Sequence, residues 1–268
     1  LLSLVILLGG AVLYLKFAAK TYEVSASVLL NIEQSKAYGA NSDAFMRVNE
    51  LIEQDKNLQN EIYFMQSSPL IKSVVREMDI NVSYYLQEDK IPRDMDFSIK
   101  ELYTDAPFIV IPSKDHLQPV GIYFYIKILD EERCMIYASS DETRIVDFSD
   151  ESVALPSTHF HLSGNFSFGE EISNTFTSFR VLLNSNYTSE TYLGKDLFFK
   201  FNTNETLTKE YKGKLKVEAS VMDATMVEMT IESDHIQKGI HFLDGLIEQY
   251  IENNLEEKSY LANKTIEH

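Results

Sequence analysis

The chain opens on an apolar run, and residues 1–15 contain no charged side chain. A helix rises about 1.5 Å per residue and needs about 20 apolar residues to cross a bilayer. The run is shorter than that, and no basic stretch precedes it. We therefore interpret residues 1–19 as part of a transmembrane helix, with Tyr14 and Lys16 at the membrane interface. A signal peptide is the alternative, but the run lacks a charged n-region and a matching cleavage site.

The rest of the composition is typical of a folded, acidic domain. The formal net charge is −17, and it is spread along the chain without a long acidic block. No cluster of Lys and Arg is present to neutralise phosphates, so nucleic acid is excluded as a partner. The single cysteine, Cys134, excludes an intrachain disulfide and a cysteine-based zinc site. We predict that Cys134 is a buried, inert thiol.

Three segments before residue 80 have clear periodicity. Apolar side chains alternate over residues 22–32, which predicts a half-buried strand. They recur at helical spacing over residues 43–65 and again over 69–78. Ser67-Ser68-Pro69 separates the two helices, because proline is tolerated in the first turn of a helix.

The middle of the chain is predicted to be a β-rich insert over about 105–205. Apolar and polar residues alternate over residues 122–128. The segment 134–138 is its predicted hairpin partner, across the acidic turn at 130–132.

The end of the chain predicts two strands, 214–221 and 226–232, and then a long helix over 233–268. The apolar positions of this helix step 4-3-4-3, the spacing of a coiled-coil seam. We predict that these positions form helix-packing and subunit contacts: Ile236, Ile240, Leu243, Ile247 and Tyr250.

Five segments together resemble the Wzz-type polysaccharide co-polymerases, including the branch fused to bacterial tyrosine autokinases. The central segment is similar to the larger inserts of Bacteroidetes-type members. The segments that carry the resemblance are Lys20–Ala26, Asn49-Glu50-Leu51-Ile52, Ser67–Val75, Thr225–Ile231 and Gly239–Ile251.

The resemblance implies an α+β fold, with a mixed sheet near the membrane packed on helices. The long C-terminal helix would lead into a coiled-coil arm, and residues 20–268 would form a periplasmic domain at the bacterial inner membrane. The family forms homo-oligomeric rings, commonly of eight copies. These rings work with a polymerase and export machinery to set the chain length of capsular polysaccharide, exopolysaccharide or O-antigen. We expect a second membrane crossing beyond His268, followed by a cytoplasmic tyrosine autokinase if the parent is of the fused type.

Candidate chemistry is sparse. His159 and His161 lie two residues apart, a spacing found in metal sites, and carboxylates are near them in sequence at Asp147, Asp150 and Glu151. No third ligand is fixed by the pattern, so an exposed histidine pair is the favoured interpretation.

The sequence contains no catalytic motif, and we predict neither an enzyme nor a cofactor within these residues. Charged residues on the last helix, opposite its apolar stripe, are interpreted as a solvated face. Two alternatives stay open: a membrane-anchored sensor or ligand-binding domain, and, less favoured, a cell-surface enzyme.

Overall fold

A computed structural model of the chain describes residues 3, 7–9, 21–30, 57–87, 99–184, 186, 192–220 and 226–266. The chain divides into two compact units. The first, which we call the end unit, combines Tyr22–Asp79 with Glu205–His268. The second, the middle unit, contains Ile80–Asn204 together with the first residues of the chain. The middle unit is therefore inserted in sequence between the two halves of the end unit.

More of the described residues lie in strands than in helices. In chain order they are β1 (Tyr22–Leu29), β2 (Val82–Gln87), β3 (Ile99–Glu101), β4 (Phe108–Pro112), β5 (Leu117–Val120), β6 (Phe124–Ile128), β7 (Arg133–Asp147), β8 (Val153–Ser167), β9 (Glu171–Asn174), β10 (Thr177–Leu183), β11 (Leu197–Phe201), β12 (Leu215–Ala219) and β13 (Met226–Ser233). The helical segments are α1 (57–65), α2 (Ser68–Glu77), α3 (Asn204–Lys214) and α4 (Ile236–Ile266), and Tyr103–Asp105 forms a short 3₁₀ turn.

The end unit is a three-stranded sheet in the order β1-β13-β12, covered by helices. β13 is central, and it pairs antiparallel with both neighbours. The alternation of apolar residues in all three strands sends one set of side chains inward, including Val217, Met229 and Ile231. The long helix α4 packs against α2, β1 and β13.

The break between α1 and α2 has the local structure that its sequence predicts. The hydroxyl of Ser67 accepts a hydrogen bond from the amide of Leu70 at 3.4 Å, and Pro69 lies in the first turn of α2. Leu70, Ile71, Val74 and Val75 form the buried stripe of that helix.

The middle unit is a pair of antiparallel sheets packed face to face. The larger sheet has the order β3-β2-β11-β6-β7-β5, with β8 also paired to β7, and the smaller has the order β4-β10-β9. One apolar core includes residues from both sheets. Its centre is a group of fully buried phenylalanines: Phe108, Phe124, Phe160, Phe179, Phe199 and Phe201.

Phe124 is the ring on which this core converges. It stacks on Phe199 at 4.8 Å between centroids, and it meets Phe179 and Phe201 edge to face at 5.7 and 5.3 Å. Phe179 belongs to the smaller sheet and the other three rings to the larger one, so these contacts join the two layers. The predicted hairpin is confirmed: Ile126 lies opposite Ile136, and Ile128 opposite Cys134.

The predicted α+β fold with a mixed sheet is wrong. All strand pairs in the described residues are antiparallel, and strands outweigh helices. In the end unit, a short connection joins β12 to β13, which dictates an antiparallel pair because a parallel pair needs a long crossover. β1 then pairs with the free side of β13, and it also runs antiparallel to that strand.

The predicted coiled-coil arm is also wrong. The long helix forms, as α4, but no coiled-coil arm follows in the part of the chain that the structure describes. The buried positions of α4 are Lys238, Gly239, Phe242, Leu243, Leu246 and Tyr250, and they pack inside the end unit. This line is offset from the heptad seam, because Gly239 and Leu246 are buried in place of Ile240 and Ile247, one position later in each case.

The transmembrane interpretation of residues 1–19 stays a prediction. Among the described residues, no helix combines the length and apolar character needed to cross a membrane. Tyr14, Lys16 and most of residues 1–19 lie outside those residues.

Gly239 sets how closely α4 approaches the sheet of the end unit. A Cβ at this position would lie 2.8 Å from Cγ2 of Val24 in β1 and 3.2 Å from Cβ of Ser233 in β13. We expect Gly239→Ala to lower the free energy of unfolding by about 1–3 kcal/mol, because the helix must move away from the sheet. Chemical denaturation followed by circular dichroism measures this change.

The matched control is Gly213→Ala in α3, where no atom lies within 4 Å of the added Cβ. That substitution should leave stability unchanged or raise it by up to about 1 kcal/mol, because alanine favours the helix. Equal effects at the two glycines would contradict the close packing of α4 on β1.

Candidate functional site

The inner face of α4 holds the helix within the end unit. Phe242 and Leu246 are completely buried, and the ring of Phe242 lies 4.4 Å from that of Tyr211 in α3. Leu243 is 1% exposed and Tyr250 is 7% exposed. Two of the five predicted contact residues, Leu243 and Tyr250, therefore pack inside their own unit.

Tyr250 anchors the middle of α4 to α1. Its hydroxyl donates a hydrogen bond to Oε2 of Glu61 at 2.7 Å, and its ring lies 6.1 Å from that of Phe64. Burial, followed by the interaction with the Glu61 carboxylate, raises the pKa of Tyr250. The phenol therefore stays protonated, and its role is structural.

The outer side of α4 carries an apolar line that the end unit covers only in part. Ile236, Ile251 and Leu255 are 45%, 47% and 63% exposed, whereas Ile240 and Ile247 are half-buried. Steps of four and seven residues place these side chains along one side of a helix. We call these five residues the outer seam.

A column of carboxylates runs beside the outer seam. Asp244, Glu248, Glu252 and Glu256 follow one another at steps of four residues, and all four are exposed. Like charges at this spacing destabilise an isolated helix. The sequence has no Lys or Arg between residues 239 and 257 to offset them. Ile247 and Ile251 of the seam line a shallow groove together with Asp244, Glu248 and Glu252.

Positive charge in the end unit is concentrated on α3 and β12. Lys209, Lys212, Lys214 and Lys216 lie within eight residues of sequence. Lys209 and Lys214 pair with the carboxylates of Glu205 and Glu210, and Lys212 donates to the hydroxyl of Ser68. Nζ of Lys216 lies 3.9 Å from Oε1 of Glu232, so three of the four lysines already face a carboxylate of their own unit. Residues 204–216 hold four Lys and two Glu, which leaves a net charge of +2 on this segment.

The two candidate metal ligands lie in β8, on either side of the buried Phe160. His159 and His161 are exposed. Nδ1 of His159 lies 3.6 Å from Oδ1 of Asp141, and the His161 ring lies 5.8 Å from that of Tyr137. The described residues contain no group of three metal-ligating side chains.

The carboxylates near these histidines in sequence lie elsewhere in the fold. Asp147 is at the far end of β7, where its amide donates to the carbonyl of Ser152. Ser152 precedes β8 and is seven residues from His159 along the chain, which is about 23 Å of extended strand. Glu151 instead accepts a hydrogen bond from the amide of Asn204, at 2.7 Å.

The lone cysteine is buried, as the sequence predicts. Cys134 belongs to the core of the middle unit and is 0% exposed. Burial, followed by repulsion from the Glu170 carboxylate, raises the pKa of its thiol to about 12.

The comparisons with protein-family models and with curated proteins give no match for this chain. Functional inference therefore depends on the geometry described above, of which the outer seam and the acidic column are the most distinctive surface features.

The raised pKa of Cys134 makes a direct prediction about its reactivity. At pH 8 the native protein should not react with N-ethylmaleimide over hours, because the thiolate is the reactive form and the side chain is buried. After unfolding in guanidinium chloride, one adduct per chain should appear by mass spectrometry. Complete labelling of the native protein within minutes would contradict the buried position of Cys134.

Proposed function

We propose that this chain is a scaffold domain that assembles into a homo-oligomer through the outer seam of α4. One observation carries the proposal. The inner face of α4 packs within the end unit, and the outer side of the same helix still presents a line of apolar side chains. A second copy of the chain is the simplest partner that would cover such a line along a long helix.

The charge distribution favours a head-to-tail contact between copies. Two acidic columns brought face to face would repel each other, so a symmetric pairing of α4 with α4 is disfavoured. The acidic column of one copy is instead complementary to the lysines of α3 and β12 in the next. Contacts of this heterologous kind close into rings when the rotation between copies allows it.

The resemblance to the Wzz-type co-polymerases supplies the biological role that we propose for such a ring. In this role the ring would act together with a polysaccharide polymerase and export machinery. It would thereby govern the length of capsular polysaccharide, exopolysaccharide or O-antigen. The same resemblance is our basis for proposing a position at the periplasmic face of the inner membrane and a ring of about eight copies.

The double substitution Ile251→Asp with Leu255→Asp tests the outer seam. Each apolar side chain buried in an interface contributes about 1.5–3 kcal/mol, and each new carboxylate would also have to be desolvated. We therefore expect the wild-type oligomer to dissociate in the double variant to a species of 30.8 kDa. Native mass spectrometry of the whole chain at micromolar concentration measures this loss.

The control is Tyr63→Asp, which places a carboxylate at another exposed position of the end unit, 68% exposed in α1. This variant should keep the wild-type mass. Both variants should keep the native circular dichroism spectrum, because none of the three side chains is in the core. A double variant that keeps the wild-type oligomer would overturn the role of the outer seam.

A further inference from the structure

The outward face of the larger sheet in the middle unit carries a row of aromatic side chains. The register places Tyr85 of β2 opposite Phe198 of β11, Phe198 opposite Tyr125 of β6, and Tyr125 opposite Tyr137 of β7. Four neighbouring strands therefore each contribute one ring at the same level of the sheet. We call these residues, with Tyr123 beside them, the tyrosine face.

The tyrosine face is separate from the hydrophobic core. Residues alternate along a strand, so the chain neighbours Tyr84, Phe199 and Phe124 point into the interior of the sandwich. The core already contains its own group of phenylalanines, and the outward rings add nothing to it. Their presence on the opposite surface calls for a separate explanation.

Packing among the rings gives this face a fixed shape. Phe198 is only 4% exposed, and Tyr125 and Tyr123 meet it edge to face at 4.1 and 6.0 Å between centroids. Tyr85 meets Tyr123 in the same manner at 5.5 Å. Edge-to-face contacts of this kind are favourable and orient the rings. Tyr123 and Tyr137 remain 38% and 44% exposed.

Hydrogen-bonding and cationic groups border the rings. β8 places Ser163 opposite Tyr137 and Asn165 opposite Met135, and His161 also lies beside Tyr137. The ammonium of Lys200 lies 5.5 Å from the centroid of Tyr123. Lys127 is exposed on the next level of the sheet, opposite Met135. Between Tyr85 and Ser163 the described register contains no carboxylate, and Glu101 of β3, which lies opposite Tyr85 at the outer end of the row, is buried.

We propose that the tyrosine face binds an extended acidic glycan, with its sugar rings along the row. Pyranose rings present flat C–H faces that stack on aromatic rings, and their hydroxyl groups match the Ser, Asn and His side chains at the border. Phe198 is covered by Tyr123 and Tyr125, so the sugars would stack on the exposed rings of Tyr123 and Tyr137. Lys127 and Lys200 are placed to pair with uronate carboxylates on either side of the row.

Charge and shape favour this ligand over two other classes. Single-stranded nucleic acid also stacks on aromatic rings, but it carries a phosphate at every nucleotide and needs a positively charged groove. Two lysines on a strongly acidic chain do not provide one. A protein partner would bury a large apolar centre, whereas this surface mixes hydroxyl, amide and imidazole groups with its rings. The proposal goes beyond the scaffold role and does not depend on the oligomeric state.

Affinity electrophoresis of the whole chain tests the proposal. The probe is hyaluronan, a linear chain of alternating glucuronate and N-acetylglucosamine, cast in a native gel, with dextran as the neutral polymer in a parallel gel. We expect hyaluronan to retard the wild-type protein and dextran not to. Tyr137→Ala and Tyr123→Ala should each weaken the binding about fivefold to tenfold, because each removes an exposed ring.

Matched variants separate stacking from general effects. Tyr137→Phe keeps the ring and should bind within about twofold of the wild type, and Tyr63→Ala removes an exposed tyrosine from the other unit and should have no effect. Lys127→Gln should weaken the binding of hyaluronan without changing the melting temperature. Absence of retardation by hyaluronan, or equal retardation of the wild type and Tyr137→Ala, would overturn the proposal. Equal retardation by dextran would overturn the choice of an acidic ligand.

The seam variant Ile251→Asp with Leu255→Asp keeps the tyrosine face intact. If it loses the oligomer but still binds hyaluronan, both proposals stand. If the wild-type chain is monomeric yet binds hyaluronan through Tyr137, only the scaffold proposal fails.

Discussion

The pairing of β1 with β13 is the interaction on which the end unit depends. Tyr22 lies opposite Ser233 and Leu29 opposite Met226, so eight residues near the start of the chain pair with eight residues near its end. About two hundred residues separate the partners, and closing such a long connection has a large entropic cost. The apolar faces of both strands pack against α4, and the burial of Val227, Met229 and Ile231 in β13 offsets that cost. Once the pair forms, the middle unit is necessarily an insertion between its two halves.

The long helix illustrates how one element can have two separate roles. Its inner face is fixed to the sheet at Gly239, where no larger residue fits beside Val24. Its outer side presents Ile251 and Leu255 next to a column of like charges that destabilises the helix on its own. Because the inner contacts provide the stability, the outer positions are free to be selected for a partner. The scaffold proposal rests on this division.

Local periodicity explains what could be predicted from the sequence. The alternation over β6 and the start of β7, joined by an acidic turn, predicts a hairpin, and the structure confirms it. The apolar stripe of α2, which follows Ser67, was also predictable from the spacing of apolar residues within one segment. Strand pairing at long range has no comparable local signal, so the antiparallel order of the sheets and the division into units were not predictable in this way. α3 was missed because only a few of its residues are buried and its apolar pattern is weak.

The candidate surfaces could not be predicted from local periodicity either. The predicted seam is offset because Ile240 and Ile247 fit the 4-3 spacing well, whereas the helix packs through Gly239 and Leu246, each one position earlier. Glycine has no side chain, so hydrophobic spacing does not mark it as a contact. The row of the tyrosine face was equally hidden, since Tyr85, Tyr125, Tyr137 and Phe198 come from four strands and meet only through the register of the sheet.

The central claim is that the outer side of α4 forms the contact between copies of the chain. Sedimentation equilibrium of the whole chain tests this claim most directly. If the outer seam and the acidic column join neighbouring copies, the weight-average mass should rise with protein concentration toward a multiple of 30.8 kDa. It should fall in high salt, which screens the pairing of carboxylates with lysines. A mass of 30.8 kDa at every concentration and every salt condition would contradict the claim.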